Sequence, residues 1–183
     1  MGSIYDELWR RRRSRVTTFA QESEQPAPPP ARFHTNELSF KRPAALKDKT
    51  VQMLAVEDEG PSPFTITIAR NTIADDETLN SIAPMLAQHL EQFMQNPTLT
   101  EAWNACEIGG VDARQMGYRW RQHDIMLHQR HYLLITANEH RQRVLVHFTA
   151  TSNALLGFSD ADRQLLDELL ASVQLRHPYE VEE

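Results

Sequence analysis

The segment IMLHQRHYLLITA, residues 125–137, places apolar side chains on both parities of an extended chain. Ile125, Leu127, Leu133 and Ile135 share one side of a strand, while Met126, Tyr132 and Leu134 share the other. A strand with one face in water alternates cleanly between apolar and polar. This one asks for cover on both sides. Two neighbours repeat the demand: Val51, Met53 and Ala55 oppose Leu54 and Val56, and Val144, Val146 and Phe148 oppose Leu145.

The remaining elements limit how much cover the chain can supply. RFHTNELSFKRP, from Arg32, reads as a first strand stopped by Pro43, and Lys49 to Glu57 as a second. FTITIARN is a third, with Phe64, Ile66 and Ile68 alternating against Thr65, Thr67 and Ala69. The period then changes. Leu79, Ile82, Leu86, Leu90, Phe93 and Met94 fall at helical spacing. Asp75, Asp76 and Glu77 suit the positive end of that helix, and Asn96-Pro97 stops it. Pro84 lies early enough in it to be tolerated. Four strands follow: TLTEAWNACEIGG, VDARQMGYRWRQ, IMLHQRHYLLITA and QRVLVHFTAT. Gly109-Gly110, His123-Asp124 and Asn138 to Arg141 mark their turns. SDADRQLLDELLASV closes the domain as a helix, with Ser159 as N-cap and Asp162 three residues on.

This order predicts an α+β fold: a curved, largely antiparallel sheet of about six to seven strands with two helices on one face. Each helix is ~10 Å wide, whereas seven strands span roughly 34 Å. Two helices cover one face of such a sheet and leave the other. The second face meets another chain or a ligand, or the sheet curls strongly around its own core. The first reading is favoured, because large apolar patches mark interaction sites.

Composition narrows the function classes. A net charge of -6 argues against a nucleic-acid binder. No run approaches the ~18 apolar residues of a membrane span, so no stable membrane insertion is expected. No apolar signal-type stretch opens the sequence, and the expectation is a cytoplasmic protein. Cys106 is the single cysteine, which leaves no intrachain disulfide. Residues 1–31 are set apart by Arg10, Arg11, Arg12, Arg13 and Arg15; five arginines against four acids give +1. QESEQPAPPPA within them reads as a disordered or polyproline linker. IYDELWRRRRSRV before it reads either as a docking peptide or, preferably, as a solvated extension. The expected domain is 32–177, followed by an acidic tail at 178–183.

Five of the eight histidines, His123, His128, His131, His140 and His147, lie between Met116 and Phe148. A chelating pair on one strand needs even spacing. His128 and His131 are three apart and point to opposite faces. There is no HExxH, no zinc signature, no phosphate loop and no nucleophile elbow. No enzyme activity, catalytic residue, cofactor or metal is therefore expected.

The second half carries a resemblance. A glycine turn (Gly109-Gly110), a Tyr118-Arg119-Trp120 strand, a strand centred on Gln129-Arg130, a Thr149-Ala150-Thr151 strand and a closing helix occur in that order. This series resembles the DcrB-like superfamily, and within it the Eag-type chaperones of type VI secretion, over about residues 32–177. The resemblance implies a cytoplasmic homodimer. Its concave sheet face would hold the N-terminal transmembrane region of a secreted effector (PAAR- or Rhs-type) and shield it until loading on the spike. By position, the groove would comprise Val51 and Met53 on the second strand and Thr65, Thr67 and Ala69 on the third. On the sixth it would take Ile125, Leu127, Gln129, His131 and Leu133. Leu86, Leu90, Phe93 and Met94 would cover the other face. The alternative is a stand-alone DcrB-like binding protein of unknown ligand.

Overall fold

A computed structural model describes residues 32–34, 39–41, 51–138 and 140–176. The predicted tails at 1–31 and 178–183 lie outside these described residues. The chain divides into two compact units, Met1–Lys49 and Thr50–Glu183. In the first, β1 (Arg32–His34) and β2 (Ser39–Lys41) pair as an antiparallel hairpin, with Phe33 opposite Phe40. The stretch expected to be one strand is therefore two short ones, outside the main sheet.

The second unit is built on one six-stranded antiparallel sheet. Its strands are β3 (Val51–Ala55), β4 (Phe64–Thr72), β5 (Gln95–Ile108), β6 (Val111–Gln122), β7 (Ile125–Ala137) and β8 (Arg143–Ser152). They lie in the order β3-β4-β8-β7-β6-β5. Tight turns join the long hairpin strands. Gly109 and Gly110 take positive φ values of 61° and 80° between β5 and β6, a conformation that glycine adopts without penalty. The edge strand β5 is irregular, with three shifts of register against β6. It also crowds its partner: a Cβ at Gly117 would stand 2.7 Å from the Thr100 hydroxyl oxygen.

Two helices complete the unit. Helix α1 (Leu79–Phe93) begins at Thr78, whose side chain caps the Ser81 amide while the Ser81 side chain returns the bond. Asp75, Asp76 and Glu77 lie immediately before the cap, at the positive end of the helix, and Glu77 Oε2 accepts from the Ala74 amide at 2.7 Å. Helix α2 (Asp160–Ala171) begins as the sequence predicts, with a reciprocal Ser159–Asp162 capping box.

The α+β class, the antiparallel sheet and the two helices are as expected, but the helices do not share a face. Directly paired residues of antiparallel strands project to the same side. Ile66, Phe148, Leu134 and Ala113 therefore line one face, and they form a single buried cluster with Leu166 of α2. Tyr118 and Met116 lie on the opposite face, paired with Gln129 and His131. There the Tyr118 hydroxyl donates to Glu91 of α1 at 3.0 Å, and Arg114 donates to Asn80 of α1 at 3.1 Å. Each sheet face is apolar, so each takes one helix. Ile82, Ala83 and Leu86 of α1 are buried, and Leu166 of α2 is fully so. Leu86 thus covers the face that carries the predicted groove, not the one behind it, and Phe93 remains 57% exposed.

Candidate binding face

The second face, which carries α1, is only half covered. Asn80 meets Arg114 and Glu91 meets Tyr118, so α1 runs along β6 in the same sense. Under this side of the sheet Met116, Leu133, Leu145 and His131 are buried. Beyond it, β3, β4, the end of β8 and the start of β7 keep their outward side chains accessible. Met53 is 68% exposed, Val51 54% and Ile125 53%; Thr65, Thr67, Thr149, Thr151, Leu127 and Gln129 are half-buried.

Register brings these residues onto one surface. Val51 faces Ala69, Met53 faces Thr67 and Ala55 faces Thr65 across β3 and β4. Thr65 pairs with Thr151 and Thr67 with Thr149 across β4 and β8. Gln129 pairs with Thr151 and His131 with Thr149 across β8 and β7. All ten residues predicted for the groove share this face. Seven of them reach the open half. Ala69, His131 and Leu133 do not, being 7%, 1% and 0% exposed. They are buried on the same face.

Three contributors were not named for the groove from the sequence. Thr149 and Thr151 share the parity of His147, and Trp120 that of Tyr118. That parity was the available signal, but it needed the register to place them. Trp120 Nε1 donates to Gln129 Oε1 at 3.0 Å, and Gln129 Nε2 donates to Thr151 Oγ1 at 3.1 Å. The amide of Gln129 is thereby fixed between Trp120 and Thr151 across three strands.

At the boundary of the two halves lies a buried polar node. His131 Nδ1 and His147 Nε2 are 3.0 Å apart, so one ring donates and the other accepts. Thr149 Oγ1 stands 3.1 Å from His147 Nε2 and 3.4 Å from His131 Nδ1. Burial lowers the His147 pKa to about 4. Burial, reinforced by the neighbouring His147, also drives His131 well down. Both rings are neutral at pH 7. His131 Nε2 is buried without a hydrogen-bond partner. His128 projects from the opposite face, as the odd spacing required, and its ring packs 3.1 Å from the position of a Cβ on Gly157. Among the described residues no group of three or more His, Cys, Asp or Glu converges as a metal site.

Two further groups are shifted mainly by burial, one on each face. Burial and the bond to Glu91 raise the Tyr118 hydroxyl to about 12. Burial raises Cys106, with Arg114 partly opposing the shift. Cys106 packs against the core of the α2 side.

The family profile of DcrB matches residues 37–172. The chain belongs to the DcrB family. A DcrB domain thus accounts for the whole six-stranded sheet and both helices. Among solved structures, PA94 of Pseudomonas aeruginosa, a protein of unknown function, superposes with a TM-score of 0.60 at 15% identity. The match covers 81% of this chain and 99% of that one, and it shows a shared fold. LpqN, involved in cell envelope biogenesis of Mycobacterium tuberculosis, gives 0.48 at 13% identity over 68% of each chain, too distant to carry weight. No curated protein matches this DcrB chain in sequence. Among its described residues no helix is long and apolar enough to cross a membrane.

Proposed function

We propose that this DcrB-family protein is an effector chaperone of type VI secretion. In this reading it works in the cytoplasm as a homodimer, and its half-covered sheet face holds the N-terminal transmembrane helices of a secreted effector. The observation that carries the reading is the open half itself. It spans β3, β4, β8 and β7, roughly 19 Å at strand spacing, against ~10 Å for a helix with its side chains. A client helix would lie beside α1 on the same face.

The chemistry of the surface suits such a client. Met53, Val51, Ile125 and Leu127 offer apolar area, and burying each contributes ~1.5–3 kcal/mol. The threonine side chains are short and β-branched, which lets a helix backbone approach closely. Their hydroxyls, with Gln129, can satisfy polar groups of the client that a bilayer-adapted helix leaves facing the sheet. The packed half cannot bind in this way, since α1 already occupies it.

The test is co-expression with the N-terminal region of an effector encoded beside this gene, followed by co-purification. Thr67→Gln and Leu127→Asp should each reduce recovery of the effector region at least tenfold while leaving the far-UV circular dichroism melt unchanged. Full capture by both variants would exclude the open half as the binding surface. No capture by the intact, folded wild-type protein would favour the alternative of a stand-alone DcrB-like binding protein.

A further inference from the structure

The two edges of the sheet are built differently. The β5 edge is blunted in several ways: three register shifts against β6, Pro97 within the strand, and Glu101 and Glu107 along it. Bulges, proline and charge are the devices that stop an edge from recruiting another strand. The β3 edge has none of them. Val51-Gln52-Met53-Leu54-Ala55 pairs with β4 without a register shift, carries no charge and is exposed throughout. Both of its faces are apolar: Met53 is 68% exposed on one, and Leu54 48% exposed on the other. Within the second unit β3 is the last strand of the six-stranded sheet, with β4 as its one neighbour.

We infer that β3 is a self-association edge, which pairs antiparallel with β3 of a second copy about a two-fold axis at Met53. This extends the homodimer of the proposed function by naming its interface, but it depends on no client. The strand is self-complementary in that register. Met53 meets Met53 of the second copy, Val51 meets Ala55, and Gln52 meets Leu54. An uncharged strand does this without placing like charges opposite each other.

Charge at the ends of the edge selects the second copy and the antiparallel sense. Glu57, Asp58 and Glu59 follow β3 and are exposed. Arg70 is exposed on β4, one residue beyond the partner of Val51 at the other end of β3. Antiparallel pairing brings the acidic end of one copy to the Arg70 end of the other. Parallel pairing would stack the acidic ends together. The product is one continuous twelve-stranded sheet in which the open halves of the two copies adjoin across the axis.

The full-length protein is to be tested by light scattering after gel filtration at tens of micromolar. The expected mass is twice that of the chain. Met53→Lys places two lysines against each other at the axis and should halve the mass with an unchanged far-UV spectrum at about 25 °C, its melt lowered only by the lost association. In a Cys106→Ser background, Met53→Cys should form a covalent dimer on oxidation, because directly opposed Cβ atoms lie ~4.5–5.5 Å apart. Leu165→Cys, on the exposed side of α2, should not. A monomeric wild-type protein, a dimer that Met53→Lys leaves intact, or failure of Met53→Cys to cross-link would each overturn the inference. Leu127→Asp leaves the dimer mass unchanged while probing client capture, so failure of this interface is distinguishable from failure of the chaperone reading.

Discussion

The His131–His147 node predicts a specific acid lability. In the unfolded chain His147 titrates near the ordinary 6.5, whereas burial holds it to about 4 in the folded protein. Below pH 6.5 the unfolded state therefore binds the extra proton and the folded state does not. The stability this group provides is complete above that pH and is lost as pH falls toward the folded value. Between about pH 7.5 and about pH 5 the loss from His147 alone is ~2 kcal/mol. His131 is depressed for the same reason and acts in the same direction. For a domain of this size ~2 kcal/mol corresponds to roughly 4–8 °C in melting temperature. The assay is urea denaturation of wild type and of the double variant His131→Leu/His147→Leu across this range. Replacing both partners avoids stranding one ring without its bond. The double variant should be less sensitive to acid than wild type by at least ~2 kcal/mol. If both proteins lose stability equally between the two pH values, the reasoning is refuted.

Leu166, fully buried between α2 and the sheet, is the main anchor of that helix. Leu166→Ala should cost ~2–5 kcal/mol in urea unfolding, with little change in slope. Ser159 caps α2 from an exposed position, accepting from the Asp162 amide at 3.1 Å. Ser159→Ala should cost ~1 kcal/mol by the same measurement, and Ser159→Asn close to nothing.

Much of the main sheet was legible because strand parity is local. Phe64, Ile66 and Ile68 alternate wherever β4 is placed, and the Ser159–Asp162 box lies within four residues of sequence. The groove residues of β3, β4 and β7 were assigned by resemblance; parity groups them only within each strand, and the cross-strand register is what sets all three groups on one face. What parity could not supply was the position of α1 along that face. Ala69, His131 and Leu133 were expected in the groove and are instead buried. The hairpin β1–β2 was missed because three-residue strands carry too few side chains to show a period.

The histidines mark the division most clearly. Their spacing alone put His128 and His131 on opposite faces, since consecutive side chains of a strand must alternate. That His131 meets His147, sixteen residues away, depended on the β7–β8 register and on a diagonal approach within it. Likewise, the apolar residues on both parities required cover on both faces. Only the tertiary structure decided that each face takes one helix, and that the face under α1 stays half open. Parity is set by the backbone of a single strand, whereas cover is set by loops and register joining elements that are distant in sequence.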